Sequence, residues 1–132
     1  MSLDGCTVCG TILQMSIGDI RLDVVFFQTD MGVEPVRRWL RSLSTSHKKA
    51  IGEDIKTVQF GWPLGMPLVE KLEPFLWEVR SKIPDGIARV LFTVDGHTMI
   101  LLHGFIKKTR RIPQTEINTA RTRLRQYQEA LS

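Results

Sequence analysis

The residues with chemistry to offer fall in the second half of this 132-residue chain. Arg80 and Arg89 each sit in an alternating, largely apolar stretch, and a third such stretch, Leu101 to Pro113, follows them. It opens as an apolar run, turns into four cations in five residues (Lys107, Lys108, Arg110 and Arg111) and stops at a proline. Side chains on a strand alternate between faces, so parity says which of them share a surface. Arg80 is opposite in parity to Trp77 and Val79, and Arg89 to Val90 and Phe92. On the last strand Met99, Leu101, His103, Phe105 and Lys107 share one parity, while Ile100, Leu102, Gly104 and Ile106 share the other. With the purely apolar sets packed on helices, the open face is expected to carry Arg80, Arg89, His103, Phe105 and Lys107.

Such a set suits an RNA-cutting reaction in which the 2′-oxygen of the RNA attacks its own phosphate. Guanidiniums can clamp the phosphate and stabilise the extra negative charge of the transition state. An aromatic ring such as Phe105 can stack on an unpaired base. No metal is required by that route. For the base, an ordinary lysine is only about 1 part in 2,500 neutral at pH 7 and needs its pKa depressed by roughly 3 units. A histidine, with a reference value of about 6.5, needs no such help. Chemistry alone therefore favours His103 slightly over Lys107 or Lys108. The plain alternative is a histidine packed in the sheet and hydrogen-bonded once. Glu78 reads as an ion-pair partner that positions Arg80.

Those residues need a sheet to hold them. Ile20 to Gln28 alternates and then runs apolar, as a first strand would. Glu34-Pro35 opens a helix, proline being tolerated in the first turn. Val36, Trp39, Leu40 and Leu43 form its apolar stripe, with Arg37, Arg38 and Arg41 on the other side. Those three cations are read as a solvated face or a second basic patch. Ser44-Thr45-Ser46 offers an N-cap for a second helix striped by Ile51, Ile55 and Val58, which Gly61 and Pro63 stop. Trp62 to Pro74, with its glycine and prolines, reads as a loop. Phe75–Arg80, Ile87–Val94 and Met99–Ile106 then form a meander, turning at Pro84-Asp85-Gly86 and Asp95-Gly96. A last helix carries Ile117, Ala120, Leu124, Tyr127 and Leu131 on one stripe, with Arg121, Arg123 and Arg125 largely off it. The expected class is α+β: a small antiparallel-dominated sheet in the order β-α-α-β-β-β-α, with helices on one face.

Residues 1–19 show no clear period and read as a poorly ordered extension, with residues 20–132 as one domain. Cys6 and Cys9 in the extension make half a zinc site at most, since tetrahedral zinc needs two further ligands, and no role is assigned to them. No cofactor is expected. No apolar run reaches the roughly 18–20 residues of a membrane span, and no secretory pattern opens the chain, so a cytoplasmic protein is expected. The formal charge of +4 is unevenly placed. Residues 1–106 hold 11 Lys/Arg against 12 Asp/Glu, whereas residues 107–132 hold 7 against 2. A charge excess confined to one end points to a polyanionic partner, or to a solvated helix face.

The segment Leu72 to Ala120 resembles the RelE/HigB toxin superfamily, in its phage-derived Gp49-like branch. The resemblance rests on Lys71-Leu72, Leu76-Trp77-Glu78-Val79-Arg80 and Arg89-Val90-Leu91-Phe92. It continues through Leu101-Leu102-His103-Gly104-Phe105-Ile106-Lys107-Lys108, Pro113, Glu116-Ile117 and Ala120. The preceding strand and helical hairpin agree with that architecture. The resemblance implies a type II toxin, an endoribonuclease cleaving mRNA on the ribosome and inhibiting translation. It implies a cognate antitoxin with a helix-turn-helix domain, and toxin–antitoxin hetero-oligomers. Carried onto this chain, Arg80, Arg89 and Lys107 or Lys108 are the implied catalytic residues, joined by His103 from the chemistry above. Lys71, Phe105, Arg110 and Arg111 are the expected RNA contacts. Better-known RelE members have a tyrosine near the site, which is lacking here. The rival expectation is a non-catalytic nucleic-acid-binding or phage-derived regulatory protein using the same basic face.

Overall fold

The structure, a computed structural model of the chain, describes residues 21–108 and 111–131. The extension with Cys6 and Cys9, and Arg110, lie outside the described residues. The elements run β1 (Asp23–Phe26), α1 (Pro35–Arg41), α2 (Thr45–Gly61), β2 (Val69–Glu73), β3 (Leu76–Ile83), β4 (Gly86–Asp95), β5 (Thr98–Lys107) and α3 (Gln114–Ala130). The five strands form one sheet in the order β1-β5-β4-β3-β2, in which only the β1–β5 pair is parallel. The α+β class with a mostly antiparallel sheet is the one the sequence implies. No helix among the described residues is long and apolar enough to cross a membrane.

The local signals act where expected. Pro35 stands at the start of α1, and the Ser44 hydroxyl caps α2 by accepting from the His47 N–H. The correction is β2, which the sequence reading took as loop. Val69-Glu70-Lys71-Leu72-Glu73 is short, charged and bounded by Pro67 and Pro74, as an outermost strand that must not recruit another sheet tends to be. Pairing of Glu70 with Glu78 then brings a carboxylate beside Arg80.

Two apolar clusters sandwich the sheet. Val79, Val90, Phe92, Met99 and Leu101 pack with Val36, Ile51, Ile55 and Val58 of the α1–α2 hairpin. Leu91, Ile100, Leu102 and Phe105 pack with Ala120, Ile117 and Leu124 of α3. Leu91 pairs with His103 but Phe92 pairs with Leu101, so Leu102 is an extra residue, a β-bulge. The bulge breaks the parity predicted for β5. Met99 and Leu101 turn into the hairpin cluster, while His103, Phe105 and Lys107 stay on the face of Arg80 and Arg89. Opposite the bulge's far side, Gly104 lies flat against Trp39 of α1. A Cβ there would come within 2.3 Å of the ring.

Candidate active site

Strand pairing sets the chemistry-bearing side chains of β3, β4 and β5 in three rows on one face. Glu78, Leu91 and His103 form the first, Arg80, Arg89 and Phe105 the second, and Lys82, Ile87 and Lys107 the third. The bulge places His103 in this grid, since it restores the register between Leu91 and the second half of β5.

The middle of the grid is a buried ion network. Glu78 is fully buried; its Oε1 accepts from Arg80 Nε at 2.8 Å and its Oε2 from Arg89 Nη1 at 2.9 Å. Arg80 Nη2 donates in turn to Glu70 on β2. Two carboxylates and two guanidiniums share the network, so as a set they carry no net charge. Arg89 is itself fully buried and bonded to Glu78, which departs from the open position expected for it. The Arg80 side chain keeps 24 % exposure and lines a cleft of about 420 Å³ with Pro67, Leu68, Lys82, Ile87 and Asp54.

Phe105 also departs from expectation. It is 7 % exposed, packed in the α3 cluster and stacked on His103 with centroids 5.5 Å apart, so its ring belongs to the core and is not offered to a base. Lys71 is exposed but pairs with Trp77, which packs in the hairpin cluster, and its ammonium lies 5.8 Å from that indole centroid. It therefore stands on the opposite face from Arg80. Lys107 is partly exposed and Lys108 exposed, at the end of β5 beside the turn that starts β4. Neither has a side-chain partner among the described residues, nor has Lys82 on β3. Arg111 is exposed.

His103 is held from two sides by α3. Arg123 Nη1 donates to Nδ1 at 3.1 Å and to the Leu102 carbonyl at 2.9 Å, and Glu116 Oε1 lies 2.6 Å from Nε2. An arginine can only donate. Nδ1 is therefore the accepting nitrogen, and Nε2 carries the hydrogen given to Glu116. The two contacts fix the orientation of the ring. Burial pushes the Arg123 pKa down, but a guanidinium stays charged at any physiological pH. Arg121, by contrast, is held by Glu73 through both Nε and Nη2, and its pKa is raised by that bond and that charge. Its cation is thus already spent within the chain.

Lys82, Glu116 and Arg123 were given no site role from the sequence. Lys82 carried a signal, standing two residues after Arg80 and so on the same face. The other two reach the site only through the packing angle of α3, which no local pattern encodes. Among the described residues no three His, Cys, Asp or Glu side chains come together as a metal site.

A search of curated proteins finds no match to this chain. The model of one family, described as phage derived protein Gp49-like, matches residues 38–125, which span α1 to α3 and contain every residue of the grid. That match covers well over half of the chain. The family is the RelE/HigB-like toxin branch, with a toxin-like role in a toxin–antitoxin pairing as its general setting. This chain belongs to the phage-derived Gp49-like family.

Proposed function

We propose that this chain is a metal-independent endoribonuclease that cleaves mRNA on the ribosome and thereby inhibits translation, restrained by a helix-turn-helix antitoxin. The observation that carries the reading is the open end of the grid. Arg80, Lys82 and Lys107 share that face on the two strands flanking β4, Lys108 follows at the end of β5, and the three lysines have no side-chain partner among the described residues. The buried Glu78–Arg89 pair fixes Arg80 from beneath, so the guanidinium is in place before a phosphate arrives.

In the proposed reaction the 2′-oxygen attacks the adjacent phosphorus and the P–O5′ bond breaks, leaving a 2′,3′-cyclic phosphate and a 5′-hydroxyl. Arg80 and Lys82 stabilise the charge that builds on the non-bridging oxygens. Lys107 or Lys108 gives its proton to the departing 5′-oxygen. This is the direction a lysine can serve in its ordinary protonated state, whereas acting as base requires a lowered pKa. The 2′-hydroxyl proton goes to His103, the imidazole of this face. Its Nδ1 lone pair is engaged by Arg123 in the free protein. A phosphate is a stronger partner for a guanidinium than a neutral imidazole is, so an RNA phosphate draws Arg123 away and frees Nδ1. Glu116 stays on Nε2 and steadies the imidazolium that forms.

Expression of the chain without an antitoxin is expected to stop growth and fragment mRNA. The Lys82→Ala/Lys107→Ala double variant should lower cleavage at least about 100-fold, the usual effect of losing a transition-state donor. Undiminished toxicity from that variant, at equal protein level, would place the chemistry elsewhere.

A further inference from the structure

The basic face of α1 does not stand alone in solvent. Arg38 and Trp39 of α1 line a hollow of about 660 Å³ together with Thr29, Pro35, Ser42 and, from α3, Arg123. A second hollow of about 280 Å³, lined by Gly32, Glu34, Arg37, Arg38 and Arg41, shares Val33 and Arg38 with the first. The two make one groove with four arginines along it. Arg37 is tied to Glu34 at 2.6 Å, and its guanidinium lies over the Phe26 ring. Arg38 and Arg41 are exposed and have no side-chain partner among the described residues. A merely solvated helix face would not be completed by a half-buried arginine from another helix.

The groove forms where it does because β1 ends early. β1 pairs with β5 only as far as Leu101, and the chain then leaves through Thr29 to Val33. Past that point no strand among the described residues pairs with the outer edge of β5, and Arg123 donates to the Leu102 carbonyl there. Arg123 thus faces two ways, toward His103 and into the groove.

We infer that this groove is a second RNA-binding surface. On it a phosphodiester flanking the cleaved one is held by Arg38, Arg41 and Arg123, with Trp39 as an apolar wall for a base. The inference rests on the RNA-cleaving reading and adds the path of the strand. RNA runs from Lys107 and Lys108 along the open edge of β5, past His103, to α1. The groove favours RNA over an acidic peptide on two grounds. Guanidiniums beside an indole suit phosphate plus base, and the groove adjoins the groups proposed to act on the same strand.

The test uses the full chain and a labelled single-stranded RNA oligonucleotide, with fluorescence anisotropy measured across a salt series. Arg38→Glu/Arg41→Glu is compared with Lys48→Glu/Lys49→Glu, an equal charge change at exposed positions of α2. The α1 variant should bind at least tenfold more weakly than the α2 variant. Its slope of log affinity on log salt should fall by about 1.4, two phosphate contacts at roughly 0.7 each. Equal weakening in the two variants, or no binding by the wild type, would overturn the groove assignment. Binding of a polyglutamate peptide that the α1 substitutions abolish, with RNA binding unchanged, would overturn it in favour of an acidic protein partner. Transcript cleavage in cells is read separately. Its absence in the wild type defeats the parent reading, while its presence alongside a failed binding test defeats the groove alone.

Discussion

At the scale of single residues, Glu78 carries the most. It is an acid with no exposure that joins two arginines, one buried and one reaching the surface. Glu78→Gln keeps the shape and removes the charge that offsets Arg89. Loss of one member of a buried ion pair costs about 3–5 kcal/mol. The lower end is expected here because a glutamine still accepts one hydrogen bond, and urea denaturation of the two proteins measures it. Part of this network was legible. Glu78 and Arg80, two apart on a strand, share a face by parity alone, and their pairing is as the sequence implied. Whether Arg89 lay open or buried was not legible, because parity names a face without saying what covers it. The same limit hid Phe105, which parity placed beside His103 correctly while α3 put it in the core. His103 itself was found as the one imidazole on its face, but what governs it, Glu116 and Arg123, lies thirteen and twenty residues away on another element.

At the scale of elements, short turns and caps were readable and the register of β5 was not. A bulge inserts one residue into a strand that otherwise alternates, and Leu101-Leu102-His103 carries no glycine or proline to announce it. The edge strand β2 was missed for a related reason: five residues with two glutamates and a lysine between prolines look like loop. Gly104 is the element-scale feature most open to test, since it lets α1 lie directly on β5. Adding a methyl in Gly104→Ala forces Trp39 to move and should cost about 1–3 kcal/mol, as overpacked cores do. Chemical denaturation reads that cost, and near-UV dichroism reads the displaced indole. The other helix is tied by Tyr127, whose hydroxyl donates to Asp95 at the β4–β5 turn at 3.0 Å. Burial, then the bond to Asp95, then the charge of Asp95 raise its pKa. The folded state thus favours the neutral phenol. The contribution is complete below the unfolded tyrosine value near 10 and is lost as pH rises through the higher folded value. Tyr127→Phe should therefore be less stable than the wild type at about pH 8, by roughly 0.5–1 kcal/mol for a hydrogen bond at a partly exposed site. The gap should close once the pH rises past that folded value. A gap that persists at high pH would assign the effect to packing.

At the scale of the molecule, the sheet divides its labour between faces. The α1–α2 hairpin closes one face with an unbroken apolar cluster. On the other, α3 covers the β5 side and leaves the outer ends of β3 to β5, with their lysines, uncovered. The charge that the sequence concentrates after residue 106 is not all available to a partner, since Arg121 is held by Glu73. Among the described residues, uncommitted cations also stand at Lys82, at Lys107 with Lys108, and at Arg38 with Arg41. In the proposed reading the fold sets them along one RNA strand. The central claim is that they serve cleavage by the RNA's own 2′-oxygen, and the chemistry of the cut ends tests it most directly. Transcripts recovered after expression of the wild type should carry new 5′-hydroxyl ends matched by 2′,3′-cyclic phosphates, and the Lys82→Ala/Lys107→Ala variant should lack them. New 5′-phosphate ends with 3′-hydroxyls, or the same ends at undiminished abundance in the variant, would contradict it.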